Sequence, residues 1–472
     1  MEKDLAGKHT AALAILLACG IVVVYGRLMI YPFVQEDWGL INDFVNNSIS
    51  STLHAIWSPT IRVFHRPIAQ TFLLGLYCIF GLHATGYHVV MIGVHFLTSL
   101  LVVFVIRRIC SDWARAWAAG FTYALALTIH VVPLTWCVGI YDILGAFLFF
   151  LSIALFLRGS KLSIVTYALS LLTKEIFIII PAVLLIVRRI ERRSKFREDL
   201  NDLLPHIVLS ALYVAFKLYA SAPLLIGNSP YGGGVALIGS HVLQNVQDYA
   251  QWMVESIVPY GVTGLSIGLS YLSMSLVIAL SPKEYRRSIL PAILWTIVGL
   301  LPVVFLKADG RYYATYALAP FLLLVAYAIR TLSSNRLMFI IMMAVLISVE
   351  GISSSIFLSD LASGRCIAGG YPWGTENVVW KGGIVKTIHE GLLEDHPSLP
   401  RGAILVFDLN AVSLPLFKPQ LWYQDSTIEV YWKYDIAKDS TGMYAYSSNR
   451  RLDPEKTFLF CIKDHKLTPE AW

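Results

Sequence analysis

The sequence is short of charge. Only 14% of its 472 residues are Asp, Glu, Lys or Arg, where a soluble domain carries about a quarter. That deficit excludes a chain whose whole surface is dissolved in water. Metal-ligand spacing is also lacking: the six cysteines form no CxxC and no Cys/His pattern, so no metal site is legible. Cys19, Cys78, Cys110 and Cys137 lie in or beside apolar runs and read as small buried hydrophobes. Cys366 and Cys461 fall in the polar C-terminal region, where a disulfide between them would persist if that region is extracytoplasmic. There is no internal repeat and no low-complexity stretch. A basic patch for nucleic acid is missing too: the net charge is +6, but Lys and Arg sit in short loops between apolar runs.

Apolar residues make up 56% of the chain, and the mean hydropathy is +0.63. Crossing a hydrocarbon core of about 30 Å takes roughly 20 helical residues. About eleven runs meet or approach that length, centred near residues 20, 98, 121, 149, 168, 181, 212, 270, 297, 322 and 346. The first, Thr10 to Ile30, follows Lys3 and Lys8 and shows no small-x-small cleavage site, so it reads as a retained signal anchor. Arg107, Arg108 and Arg115 share one side of the spans with Arg158, Lys161, Arg188, Arg189, Arg192, Arg193, Lys195 and Arg197. Lys283, Arg286, Arg287, Arg330 and Arg336 fall on that side as well. The positive-inside rule then places it, and the N-terminus, in the cytoplasm.

The expected fold class is an all-α polytopic membrane protein, with residues 1–358 in the membrane and 359–472 outside it. Residues 376–394 have helical spacing and "AILVFDL" at 403–409 reads as a buried strand, so the tail is expected to be a small α/β extracytoplasmic domain. Two further outward segments are Tyr31 to Gly86 and Ala220 to Gly261, the latter with the turn Gly232-Gly233-Gly234. Within the first, "RPIAQTFLLGLYCIFG" (66–81) is apolar but too short to span comfortably, which predicts a helix lying on the outer surface.

The outward side also holds the residues able to do chemistry. "YPFVQEDWGLINDF" supplies Glu36 and Asp37, with Asp43 nearby; neighbouring carboxylates can supply a base and a group that tunes it. "IRVFHRP" supplies Arg62, His65 and Arg66, on the side where basic residues are disfavoured; guanidinium suits phosphate or lipid headgroups. "LLTKEIFIIIP" sets Lys174 and Glu175 between apolar runs, where a self-satisfied pair and a substrate cavity are both open readings. "LKADGRYYATYALAPF" adds Lys307, Asp309, Arg311, Tyr312 and Tyr313. "IHVVPLTWCVGIYD" adds His130, Trp136, Tyr141 and Asp142, whose aromatics also suit an interfacial belt. Together these fit an anionic, membrane-held substrate and a hydroxyl to deprotonate.

This arrangement resembles the GT-C superfold of polyprenyl-phosphate-sugar-dependent glycosyltransferases, in its protein-mannosyltransferase-like and aminoarabinose-transferase-like branches. The residues that carry the resemblance are Glu36-Asp37 after the first span and "HRPIAQTFLLGLYCIFGLHATGYHVVMIGVHFLTSLLVVFVIRR". "LLTKE…P" and "GRYYATYALAPF" follow in family order, and the likeness covers roughly residues 10–330. It implies that Asp37 is the base on the acceptor hydroxyl, with Glu36 its neighbour. The family writes this pair Asp-Glu or Asp-Asp, so the choice between the two stays open. Arg66, Lys174 and Arg311 would bind the donor phosphate. Arg62, His65, Asp142, Glu175 and Tyr312 would serve substrate binding. The implied partners are a polyprenyl-phosphate sugar donor, a lipid, glycan or protein acceptor, and membrane lipids. The implied chemistry is inverting transfer, which needs no cofactor, although members of the superfold can bind a divalent metal. Asn46-Asn47-Ser48 is the sequon on the outer face, which favours a bacterial inner membrane. The rival readings are a transporter or lipid-linked glycan flippase, a glycan polymerase or ligase, an oligosaccharyltransferase, and a noncatalytic subunit.

Overall fold

A computed structural model describes residues 2–469 apart from 59–64, 192–195, 226–238, 259–263, 307–309, 334, 363–376, 409–416 and short stretches between 434 and 465. Arg62, Lys307, Asp309, Cys366 and the turn at 232–234 therefore lie outside the described residues. In hydrocarbon a backbone must satisfy its own polar groups, and the apolar runs accordingly form helices. These are α1 (Glu2–Tyr25), α2 (Asp37–Asn46), α3 (Ile49–Trp57), α4 (Pro67–Phe80), α5 (Ala84–Cys110) and α6 (Trp113–Leu125). Then come α7 (Leu127–Thr135), α8 (Ile140–Leu157), α9 (Leu162–Leu171), α10 (Ile180–Glu191), α11 (Phe196–Leu225) and α12 (Ser240–Glu255). The rest are α13 (Gly264–Leu280), α14 (Lys283–Val304), α15 (Thr315–Leu332), α16 (Arg336–Ala362) and α17 (Asn377–Asp395).

Each of the eleven expected centres falls inside a helix, but fewer of those helices have spanning length. Among the described residues six spans are long and apolar enough to cross a membrane alone: Thr10–Ile30, Ala84–Cys110, Cys137–Leu157, Arg197–Tyr219, Arg311–Leu332 and Arg336–Ala362. A seventh forms if α6 and α7, bent by 50° at their junction, count as one. Leu162–Leu171, Ile267–Leu280 and Ser288–Val304 are shorter, as is the α4 helix, at 14 residues. α16 runs on to Ala362, past the boundary expected at 358.

The bend at Ala126 has an identifiable support. Restarting the helix there orphans the carbonyls of Ala124 and Leu125. His95 of α5 approaches the first through Nε2 at 3.0 Å, and Ser354 of α16 donates to the second at 3.3 Å. A broken helix is tolerated inside a bundle when neighbours satisfy the freed groups in this way. Beside it, Phe149 of α8 meets Phe177, Trp295 and Tyr316 at ring separations of 5.9, 6.3 and 5.9 Å. Phe177 and Tyr316 lie just after Glu175 and Arg311 in the chain, so this core anchors the segments that carry the candidate residues.

The C-terminal strands are β1 (Ile404–Asp408), β2 (Glu429–Trp432), β3 (Ile436–Lys438), β4 (Tyr444–Tyr446), β5 (Arg450–Arg451), β6 (Thr457–Lys463) and β7 (Lys466–Pro469). One sheet has the order β2-β1-β6-β7, with β1 parallel to both neighbours and β7 antiparallel; β3, β4 and β5 form a second. A central parallel strand is covered on both faces, which is why β1 reads as a continuous apolar run. Cys461 on β6 has no disulfide partner among the described residues, and its pairing with Cys366 lies outside them. Phe417 and Trp422 meet Trp38 of α2 edge to face at 5.7 and 5.5 Å, so the C-terminal layer rests on the segment holding Asp37.

Candidate active site around the α7–α8 turn

One short turn, Cys137–Gly139, organises the site. A Cβ on Gly139 would stand 2.3 Å from the Pro133 carbonyl oxygen, so only glycine lets the turn fold back this closely on α7. Folded so, its backbone N–H groups point at Asp37. The Asp37 Oδ1 accepts from Val138 at 2.8 Å, and Oδ2 from Cys137 at 3.2 Å and from Val34 at 3.0 Å. Burial pushes the carboxyl up to about 7, against the pull of these three donors and with a further push from Glu36. Gln35, just before the pair, sits at φ 48, a left-handed conformation that costs a non-glycine residue energy. Glu36 itself is exposed.

The first turn of α8 carries Tyr141 and Asp142, which face the predicted cations. Arg66 stands before Pro67, and a residue in that position is driven out of the helical region; its φ and ψ are −129° and 60°. The guanidinium is thereby held at a helix N-terminus, where the dipole disfavours a cation. Glu175 answers it with a two-pronged pair, Nη2–Oε1 at 2.6 Å and Nε–Oε2 at 3.2 Å, and Tyr141 lies beneath at 5.3 Å. Burial alone would raise Glu175; the Arg66 charge overrides it and holds the carboxyl at about 2.

Lys174 does not pair with its neighbour. Its backbone is extended, at φ −161° and ψ 138°, so adjacent side chains leave on opposite sides. Glu175 goes to Arg66, and Lys174 goes to Asp142 at 2.5 Å, both members of this second pair buried. The ammonium also lies 5.0 and 4.5 Å from the rings of Tyr312 and Tyr313. Burial lowers the Lys174 pKa, against the pull of Asp142. A third pair, this one buried, joins Arg311 to Glu255 of α12, with Trp252 at 5.3 Å from the guanidinium. His65 is buried, its ring 5.6 Å from Phe216 of α11.

Asp142, Lys174, Glu175, Arg66 and Tyr312 are thus brought into one linked cluster, with Asp37 on the turn behind it and Arg311 adjoining Tyr312. Two members escaped sequence reasoning. Glu255 is one; its signal was a lone acid in the apolar stretch "WMVESIV". The other is Lys217, in "YVAFKLYA", whose charge acts on both Glu175 and Arg66. Among the described residues Lys217 makes no ion pair, so it is the cation that the three pairs leave over. Between α12, α13, α14 and α15 lies an apolar cavity of about 500 Å³ lined by Met253, Tyr271, Met274 and Phe321. Among the described residues no three His, Cys, Asp or Glu side chains group closely enough to hold a metal.

No protein-family model matches the sequence, and no curated protein does. In structure the chain is similar to ArnT from Cupriavidus metallidurans, solved bound to undecaprenyl phosphate. The two are 15% identical, the match covers 89% of this chain and 86% of that one, and the TM-score is 0.51. With its apolar spans and small C-terminal sheet, the chain is an integral membrane protein with an ArnT-like fold.

Proposed function

We propose that this protein is a glycosyltransferase that moves a sugar from a polyprenyl-phosphate donor to an acceptor hydroxyl on the extracytoplasmic side, with inversion. The observation that carries the reading is convergence. Residues chosen from four separate outer loops meet in one cluster, in a fold shared with a protein bound to undecaprenyl phosphate. Asp37, titrating near neutrality, is suited to take the acceptor proton, because a base works best with a pKa near the working pH. Arg66, Lys174, Arg311 and Lys217 are suited to stabilise the charge that develops on the departing phosphate. The three carboxylates already paired there hold Arg66, Lys174 and Arg311 in place until the donor arrives. The apolar cavity between α12 and α15 suits the start of an isoprenoid chain. The chemistry needs no metal.

The test is transfer of radiolabelled sugar from polyprenyl-phosphate donors by the purified protein, with Asp37→Asn and Glu36→Gln alongside. Transfer by the wild type, abolished in Asp37→Asn and retained in Glu36→Gln, supports both the activity and the base. The reverse pattern moves the base to Glu36. Failure of the wild type to bind any polyprenyl phosphate removes the donor and the reading with it.

A further inference from the structure

We infer that the groove between α1, α6 and α16 is a binding site for an acidic phospholipid of the bilayer. It lies at the far end of the α6–α7 span from Asp37. Its volume is about 810 Å³, within the roughly 300–1,000 Å³ of ligand sites. Along most of its length the walls are apolar, with Ala118, Phe121, Met343 and Ile347 among them, a surface that suits an acyl chain. One end differs. Arg336, the first residue of α16, lines the groove together with Trp113, the first residue of α6. The Arg107 guanidinium lies 5.2 Å over the Trp113 ring.

Among the described residues neither Arg107 nor Arg336 has a carboxylate within ion-pair distance, and the buried Nε of Arg107 has no hydrogen-bond partner. A buried donor left unmet is costly. A phosphodiester supplies both the acceptor oxygens and the negative charge, and basic pockets between spans recognise anionic headgroups on this principle. A tryptophan at the same level suits the headgroup boundary. Charge at one end and an acyl-sized apolar trough behind it define a phospholipid rather than a free anion.

The full chain is reconstituted with phosphatidylglycerol and phosphatidylcholine, re-extracted in mild detergent, and its retained lipid counted by native mass spectrometry. Arg336→Gln removes the charge. Ala344→Phe intrudes from the exposed rim of the groove without entering the core. An unchanged unfolding transition certifies that each variant is folded; if Ala344→Phe is not, Arg336→Gln decides alone. The expected result is retention of phosphatidylglycerol by the wild type with about fivefold preference over phosphatidylcholine, lost in Arg336→Gln. Ala344→Phe retains neither lipid. Equal retention in all three proteins, or none in the wild type, overturns the inference. Displacement of phosphatidylglycerol by added polyprenyl phosphate also overturns it, since the groove would then belong to the donor.

Discussion

Beyond α7, Arg66, Lys174 and Arg311 each face a carboxylate drawn from 109, 32 and 56 residues away in the chain. At the start of α6, Arg107 and Arg336 flank Trp113 and face no carboxylate among the described residues. The contrast shows where compensating charge comes from. A cation enclosed by protein loses its water at a cost of several kcal/mol and needs a protein partner. One at the headgroup layer can use the phosphates of the bilayer instead. At the enclosed end, the proposed chemistry would therefore draw on the same side chains as the fold, and substitutions there should disturb both.

The largest effect expected at that end is on catalysis. Asp37→Asn should lower kcat by about 10²–10⁴-fold while polyprenyl phosphate still binds, as a positioned base contributes that much. Binding lost together with turnover would make Asp37 a structural staple for the α7–α8 turn and no more. Pairing is tested next. Lys174→Met leaves Asp142 buried and alone, which should cost about 3–5 kcal/mol in unfolding measured in detergent. The double variant Lys174→Met/Asp142→Leu should recover most of this; no recovery would mean that the pair is not what holds this end together.

The dependence on pH sharpens the assignment of the base. Asp37 must be ionised to accept a proton, so kcat should fall about tenfold per unit below a limb near pH 7, the value to which burial raises it. The linked effect on stability has the opposite sense. With the folded value above the unfolded 3.8, the favourable contribution is complete below 3.8 and is lost as pH rises through about 7. A wild-type profile without the limb would pass the role to Glu36. The smallest effect concerns Lys217, the cation of the cluster without an ion pair among the described residues. Lys217→Gln should weaken donor binding about tenfold, equivalent to roughly 1.4 kcal/mol, without moving the unfolding transition. An unchanged affinity would leave the phosphate to the paired cations.

Much of this architecture is written locally and can be read without a structure. Apolar runs become helices whatever surrounds them, so all eleven centres fall in helices, and β1 matches the run at 403–409. The spanning length of each run was harder to see, because α9 and α13 are apolar throughout and fall short only in length. The candidate residues were visible as ionisable groups in apolar surroundings, the kind of anomaly that a bilayer makes expensive. Their partners were not. Adjacency suggested Lys174 with Glu175, whereas the extended backbone sends the two apart, to Asp142 and Arg66. Glu255 with Arg311, and Asp37 with the N–H groups of Cys137 and Val138, are contacts across the fold that no periodicity encodes.

The break at Ala126 has a consequence for how this chain can vary. In an uninterrupted helix, inserting one residue turns everything downstream by roughly 100°. Had α6 and α7 been continuous, a single insertion low in the span would have swung the Cys137–Gly139 turn away from Asp37. Because α7 begins afresh at the break, with its own His130 ring 4.5 Å from His95 of α5, its aim is set separately from the rotation of α6. The α6 half keeps its register by another means, since a Cβ on Gly120 would stand 2.2 Å from Val103 of α5.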